Sequence, residues 1–403
     1  MKVLSLASEQ KISAEGQPAS GQFETANVVT VCSAHAVHDS YQTFLPILLP
    51  VLIERFSIST AEAGVFSFIS QVLSLIQPLI GHLADRVNLR WVVFLTPALT
   101  GVVMSLLGVA PLYVAAALLC VVSGLSSAAF HSVAPVLVAN FSGRRLGRGM
   151  SFWMVGGELG RTIGPLIIVM WMGLAGLCSL PWLMLPGLAV GAVLFARLRG
   201  VPHRPSGVGE RYPLRQALVR LRPMLLPMGM ILLLRALIES ALATYIPTLI
   251  TQNGYDLWLA GVMYAVMEAA GVVGALTGGS LSDRLGRRKV LFGTLLISPV
   301  FLLLFLSVTG WASLVFLVFV GLVAMAINPV IMAIFQESLP ENRALANGLY
   351  MAAHLVLRSL ATLMIGGLGD LAGLHYAFTV SAWVALAAAP FAAMLPSTHK
   401  QRV

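Results

Sequence analysis

Residues 279–289 read GSLSDRLGRRK, and residues 81–90 read GHLADRVNLR. The shared core, Gly-x-Leu-small-Asp-Arg, closes the second of two long apolar stretches in each case, and Asp85 and Asp283 lie 198 positions apart. Working outward from these two copies, the chain resolves into twelve apolar stretches: 27–53, 61–83, 91–110, 112–139, 147–173, 179–197, 224–250, 257–280, 289–309, 311–335, 345–368 and 374–395. Each approaches or exceeds the roughly 20 residues that cross a hydrocarbon core at about 1.5 Å per residue. Lipid leaves the backbone no partner but itself, and no segment alternates like a barrel strand, so the spans are expected to be helices. The longest connection, 198–223, divides them six and six. Other pairs recur near the same interval: Asp39 and Glu239 are 200 apart, as are His35 and Arg235. The expected fold is an all-α membrane protein of twelve transmembrane helices in two pseudo-symmetric six-helix bundles. Its parts are a tail (1–26), a bundle (27–197), a linker (198–223), a second bundle (224–395) and a tail (396–403). Repeated halves on a long linker are the plan of alternating-access carriers, whose sites lie between the halves near the midplane.

Composition agrees. Of 403 residues 58% are hydrophobic and 10% charged, against about 25% charged in soluble domains; mean hydropathy is +0.88. The net charge of +9 is no phosphate-binding face, because 21 of 25 Lys and Arg fall on one side of the expected membrane and only Arg55 on the other. By the positive-inside bias both termini are cytoplasmic. Nucleic acid is excluded as a partner, as are a secreted disulfide scaffold and a disordered chain. Residues 1–26 are polar with no apolar core, which predicts a cytoplasmic tail and not a signal peptide. Cys32, Cys120 and Cys178 lie in apolar stretches without metal-ligand spacing and are expected to be small buried hydrophobes. Pro46, Pro50, Pro165 and Pro247 fall within spans and predict kinks.

A charge at mid-bilayer costs about 2.5–3.5 kcal/mol on some scales, so each buried one asks for a reason. In span 1, His35, Asp39, Gln42 and Pro46 share one helix face. An acid beside an imidazole is suited to loading and releasing a proton; a static polar cluster joining helices is the alternative. Span 7 carries Arg235 and Glu239 at i, i+4, either a self-neutralising structural pair or an anion site with a proton-accepting acid. Span 5 sets Gly156, Gly157, Gly160, Gly164 and Pro165 around Glu158 and Arg161. Glycines four apart let helices approach closely, and Arg161 suits a bidentate anion. Lesser candidates are His131, Glu268, Asn328, and His354 with Arg358. Trp153, Tyr245 and Met267 would line a cavity or face lipid.

The motif at 279–289 resembles the signature of the major facilitator superfamily in the loop after span 2. The copy at 81–90 keeps Gly81, Asp85 and Arg86 but has Asn88 and Leu89 where a glycine and a basic residue are usual. The resemblance implies a conformational latch on the cytoplasmic side, made of Gly81, Asp85, Arg86, Gly279, Asp283, Arg284, Gly286, Arg287 and Arg288. Gly160-x-x-x-Gly164-Pro165 resembles the superfamily's antiporter motif without its trailing glycines. More narrowly, the N-terminal half resembles the fosmidomycin resistance family of drug exporters. The resemblance rests on His35, Asp39, Tyr41, Leu45 and Pro46, on Gln77-Pro78, on Phe130-His131 and on the run 147–166. Ser132 and Glu158 depart from that family's usual residues. His131 enters the site through this resemblance.

These readings lead to one expectation: a proton-coupled antiporter of a bacterial inner membrane that exports a small amphiphilic or anionic drug-like compound. Asp39, His35, Glu158 and Glu239 would couple protons. Arg161, Arg235, His131, Gln42, His354 and Arg358 would hold substrate, and Gly156, Gly160, Gly164 and Pro165 would pack helices. The same charges serve a symporter or a uniporter importing a metabolite, and a non-transporting sensor or scaffold would need them to be purely structural. No metal and no cofactor is expected. There is no P-loop, no nucleophile–base pair and no loop long enough for an enzyme domain. The expected partners are the substrate, protons and the lipid bilayer, with the chain a monomer.

Overall fold

The computed structural model describes residues 22–84, 87, 89–200, 214–339 and 343–395. Among them all regular structure is helical. Eleven helices are long and apolar enough to cross a membrane, from 60–81 through 374–394, and they match spans 2 to 12. Span 1 is the remaining one. It is built of two helices, Thr25–Gln42 and Phe44–Phe56, and its first piece is the polar one, burying His35, His38, Asp39 and Ser40.

The interruption at Thr43 has a cause three residues on, because Pro46 has no N–H to give to the carbonyl of Gln42. Span 7 repeats the device. Its helix Leu214–Ser240 widens into a π turn over Ala241–Tyr245 just before Pro247, the second residue of Ile246–Gln252. Both irregularities follow the charged pair of their span. Pro50 and Pro165 lie within unbroken helices, so of the four prolines only Pro46 and Pro247 adjoin a break.

Glycines set the tightest packing. A Cβ on Gly156, Gly160 or Gly164 would come within 2.4 Å of the Cys32 carbonyl oxygen, 2.2 Å of that of Ala36 and 2.3 Å of that of Ser40. The span 5 glycines therefore seat on successive turns of span 1, with Pro165 buried behind them. Spans 8 and 10 meet similarly, Gly274 and Gly278 lying against the carbonyls of Leu322 and Ala326. Cys32 and Cys120 are buried as expected, but Cys178 is exposed. It sits in the 3-10 turn Leu177–Leu183 that opens span 6, where the chain has only begun to pack.

The halves meet along spans 2 and 11 and along spans 5 and 8. One apolar cluster runs through both halves at the end away from the linker, joining Phe44, Leu48 and Phe66 to Tyr245, Ile246 and Ile365. At the linker end the core splits in two. Val31, Phe130 and Leu194 belong to a cluster of the first half alone, and Met228, Ile331 and Phe335 to one of the second. Among the described residues the apolar core is thus shared by the halves at the far end and divided between them at the linker end. A polar clasp reinforces the closure: Thr60 N and Ala61 N at the start of span 2 donate to Asp370 Oδ1 (2.6 Å) and Oδ2 (2.9 Å) in span 11.

Candidate functional site between the two halves

Span 1, span 4 and span 5 bring a triad together in the first half. His35 Nε2 lies 3.3 Å from Asp39 Oδ2, His131 Nε2 lies 3.4 Å from Asp39 Oδ1, and the two Nε2 atoms are 3.3 Å apart. His35 stacks on Trp153 at 3.6 Å between ring centres. Gly157 makes the room: a Cβ there would fall 2.6 Å from His35 Cε1 and 3.2 Å from Asp39 Oδ2. Both imidazoles are tied on their outer side, His35 Nδ1 to the Trp153 carbonyl at 2.9 Å and His131 Nδ1 to the Ser127 carbonyl at 2.9 Å. A carbonyl only accepts, so each Nδ1 donates its hydrogen outward. Gln42 joins the same face, its Oε1 3.5 Å from Ser123 Oγ of span 4.

The second half carries a counterpart with a different sign. Arg235 Nη1 pairs with Glu239 Oε2 at 3.1 Å, while Nη2 donates to Asn328 Oδ1 at 2.8 Å and to the Ala324 carbonyl at 3.2 Å. His354 Nε2 of span 11 stands 3.3 Å from Glu239 Oε1. Arg235 is 3% exposed, so this charge is fully engaged inside the bundle. Arg358 is half-buried, and its Nε has no hydrogen-bond partner.

Between the halves stands Arg161. It bonds Glu158 of its own helix through Nη2, and its Nε faces Glu268 Oε2 of span 8 at 3.6 Å. That Nε is buried without a hydrogen-bond partner, so the contact to Glu268 is an ion pair across the seam and not a locked bond. The Arg161 side chain is 39% exposed and that of Glu268 5%.

The expected sets are thus partly joined. His35, Asp39 and His131 form one cluster, with Gln42 reaching Ser123 instead; Arg235, Glu239 and His354 form another; Glu158 and Arg161 meet Glu268. Of the expected anion group, Arg161 is paired with Glu158 and Glu268, and Arg235 with Glu239. Trp153, Tyr245 and Met267 are all buried between helices, and Tyr245 donates to the Thr362 carbonyl at 2.9 Å. His38 and Asp370 escaped the sequence reading. His38 sits off the 35–39–42 stripe, and Asp370 closes an apolar helix 310 positions from its amide partner. Of the expected latch, Asp85 and Arg86 lie outside the described residues and Gly81 ends span 2 half-buried. In the second copy Gly286 (φ +96°) is the only residue between spans 8 and 9. Arg287 there bonds Asp283 at 2.6 Å and Glu337 at 3.0 Å, and Arg288 donates to the Ala393 carbonyl. Arg284 and Gly286 are exposed. These contacts stay within the second half, consistent with a linker end that stands open.

Comparison with known proteins places this architecture. The chain is 23% identical to the fosmidomycin resistance protein of Escherichia coli (strain K12), over 88% of each chain. It is 25% identical to the uncharacterized MFS-type transporter YfnC of Bacillus subtilis (strain 168), over 99% of each. Among solved structures it resembles a bacterial homolog of the human lysosomal transporter Spinster in an inward-facing, unoccupied conformation. There the TM-score is 0.75 at 15% identity, over 93% of this chain and 97% of that one. It also resembles a D-xylose-proton symporter, with a TM-score of 0.74 at 14% identity, over 93% and 99%. The sequence profile of the Major Facilitator Superfamily matches residues 31–284 and 266–403. With that match spanning nearly the whole chain, and with two six-helix halves closed at one end around paired charges, the chain belongs to the Major Facilitator Superfamily.

Proposed function

We propose that this transporter exports a small anionic or amphiphilic compound in exchange for protons, as a monomer in a bacterial inner membrane. Its linker end and both termini face the cytoplasm, so the state described above is inward-open. The concentration of Lys and Arg on the linker side supports that orientation. The named activity of the Escherichia coli relative supports the direction and the substrate class.

One observation carries the coupling: Arg161 is shared between Glu158 of its own half and Glu268 of the other. With both acids charged, the guanidinium bridges spans 5 and 8 by ion pairing. Substrate and proton use the site in turn. An anionic substrate group entering from the inside takes the guanidinium from deprotonated Glu268. After the substrate has left outside, a proton on Glu268 keeps the bridge open while the empty carrier returns. Inward release of the proton restores the bridge and completes the exchange. Glu239 serves the second half in the same way, sharing Arg235 and His354. Arg358, whose Nε is unpartnered, completes the substrate contacts. In the outward-open state, Gly279, Asp283, Arg287 and Arg288 form the cytoplasmic latch with Gly81, Asp85 and Arg86.

Proteoliposomes with an imposed pH gradient test this. Fosmidomycin and a panel of organic anions are added to wild type and to Glu268→Gln. The expected result is substrate-dependent collapse of the gradient in wild type and its loss in the variant. Substrate flux that ignores the gradient in both proteins defeats the proton antiport reading and leaves a uniporter.

A further inference from the structure

The triad of the first half has a property the coupling scheme does not use. Its two imidazoles turn their hydrogens outward, to the carbonyls of Trp153 and Ser127. In that tautomer both Nε2 atoms point lone pairs inward, where the Asp39 carboxylate offers only lone pairs as well. Three lone-pair donors therefore face one another at 3.3, 3.3 and 3.4 Å. Asp39 Oδ1 is buried and has no hydrogen-bond partner, so the 3.4 Å approach to His131 is not a hydrogen bond. Donors arranged this way repel unless a proton or a metal cation lies among them.

The spacing says which kind. A tetrahedral Zn²⁺ with bonds of about 2.0–2.1 Å to nitrogen and oxygen has ligand–ligand edges of about 3.3–3.4 Å. Each measured separation matches that edge length, the two Nε2 atoms being 3.3 Å apart and each lying 3.3–3.4 Å from one of the two Asp39 oxygens. One ligand atom from each of the three residues lies within 4.8 Å of the others. Outward Nδ1–H to carbonyl bonds are also the usual support of metal-ligating histidines, fixing tautomer and ring orientation. The stack of His35 on Trp153 holds the first ring still. His38 adds a second unsatisfied group: it is fully buried, its ring 5.5 Å from that of His131, with neither nitrogen hydrogen-bonded.

We propose that His35 Nε2, His131 Nε2 and the Asp39 carboxylate bind a divalent transition-metal ion of the Zn²⁺ class, resident in the first half. The fourth position is on the side of His131, whose side chain is 29% exposed against 5% for His35 and 8% for Asp39. Three protein ligands with one open position is the pattern of an ion that takes up a further ligand. Residence, and not passage as cargo, follows from the donor set: spans 1 and 4 belong to one half, whereas a transported solute is gripped between the two.

The test uses tag-free, full-length protein in nanodiscs, stripped with chelator and titrated with Co²⁺. Wild type should bind one Co²⁺ per chain, with the intense visible bands of tetrahedral cobalt, and Zn²⁺ should displace it. His131→Ala and Asp39→Asn should each weaken binding beyond the roughly 10–100-fold that follows loss of an outer-shell partner. His354→Ala, the corresponding change in the second half, should bind as wild type does. The wild-type spectrum decides first, so the outcome does not depend on how a variant folds. No binding below millimolar Co²⁺, or a weak octahedral spectrum shared by all four proteins, overturns the site. Zn²⁺ that crosses loaded proteoliposomes overturns residence.

Discussion

Asp370→Ala should loosen the far end of the molecule. Helix Thr60–Val72 begins with amides that have no partner within the helix. Ser59 and Glu62 satisfy two of these backbone donors through a reciprocal capping box, Ser59 Oγ accepting from Glu62 N at 3.2 Å and Glu62 Oε2 accepting from Ser59 N at 2.8 Å. Thr60 N and Ala61 N depend on Asp370, a carboxylate supplied by the other half, at 2.6 and 2.9 Å. Hydrogen bonds to a charged group are worth about 1.5–3 kcal/mol each. Asp370 is exposed, and on opening water would replace it at both amides. A net contribution of about 1–2 kcal/mol to the closed far end is therefore expected. Its loss multiplies the ratio of far-end-open to far-end-closed molecules by about 5–30. Asp370→Asn keeps one acceptor oxygen and should shift the ratio less.

The shift is readable by electron–electron resonance between spin labels at exposed far-end positions of opposite halves. Leu112→Cys and Trp311→Cys, 52% and 85% exposed, serve in a background where Cys32, Cys120 and Cys178 are Ala. Wild type should give one main distance, Asp370→Ala a second, longer population, and Asp370→Asn an intermediate share. Identical distributions in all three would refute the reasoning, because the clasp would then add nothing to closure.

Three further outcomes follow from the packing. Gly160→Val drives a side chain into the Ala36 carbonyl, 2.2 Å from an ideal Cβ; overpacking of this kind costs about 1–3 kcal/mol and should lower the melting temperature in detergent. Arg235→Met removes the 3.1 Å partner of Glu239 inside the bundle, a loss of about 3–5 kcal/mol, and adding Glu239→Gln should recover most of the stability in the same melt. Cys178 is the only exposed cysteine, so a membrane-impermeant maleimide should label the native protein once per chain. With the proposed orientation that labelling occurs in right-side-out vesicles, and Cys178→Ala abolishes it.

Much of the candidate site was legible along single helices. His35, Asp39 and Gln42 declare a shared face by their spacing, and Arg235 with Glu239 does the same. Gly156, Gly160 and Gly164 declare a ridge without saying which helix it meets. What the linear reading missed are pairings between distant segments. His131 is 96 positions from His35, Glu268 is 107 from Arg161, and Asp370 is 310 from Thr60; no local period connects such residues.

The membrane class, the twelve spans, the twofold repeat and the orientation bias can all be read along the chain. They rest on transfer free energy and helical periodicity, which are properties of short stretches. Which charges meet across helices, where the apolar core joins the two halves and that His35, His131 and Asp39 come together were decided by the folded molecule alone. Those depend on how whole helices dock, and docking is fixed by glycine contacts, proline breaks and a continuous core at one end, all summed over the entire chain.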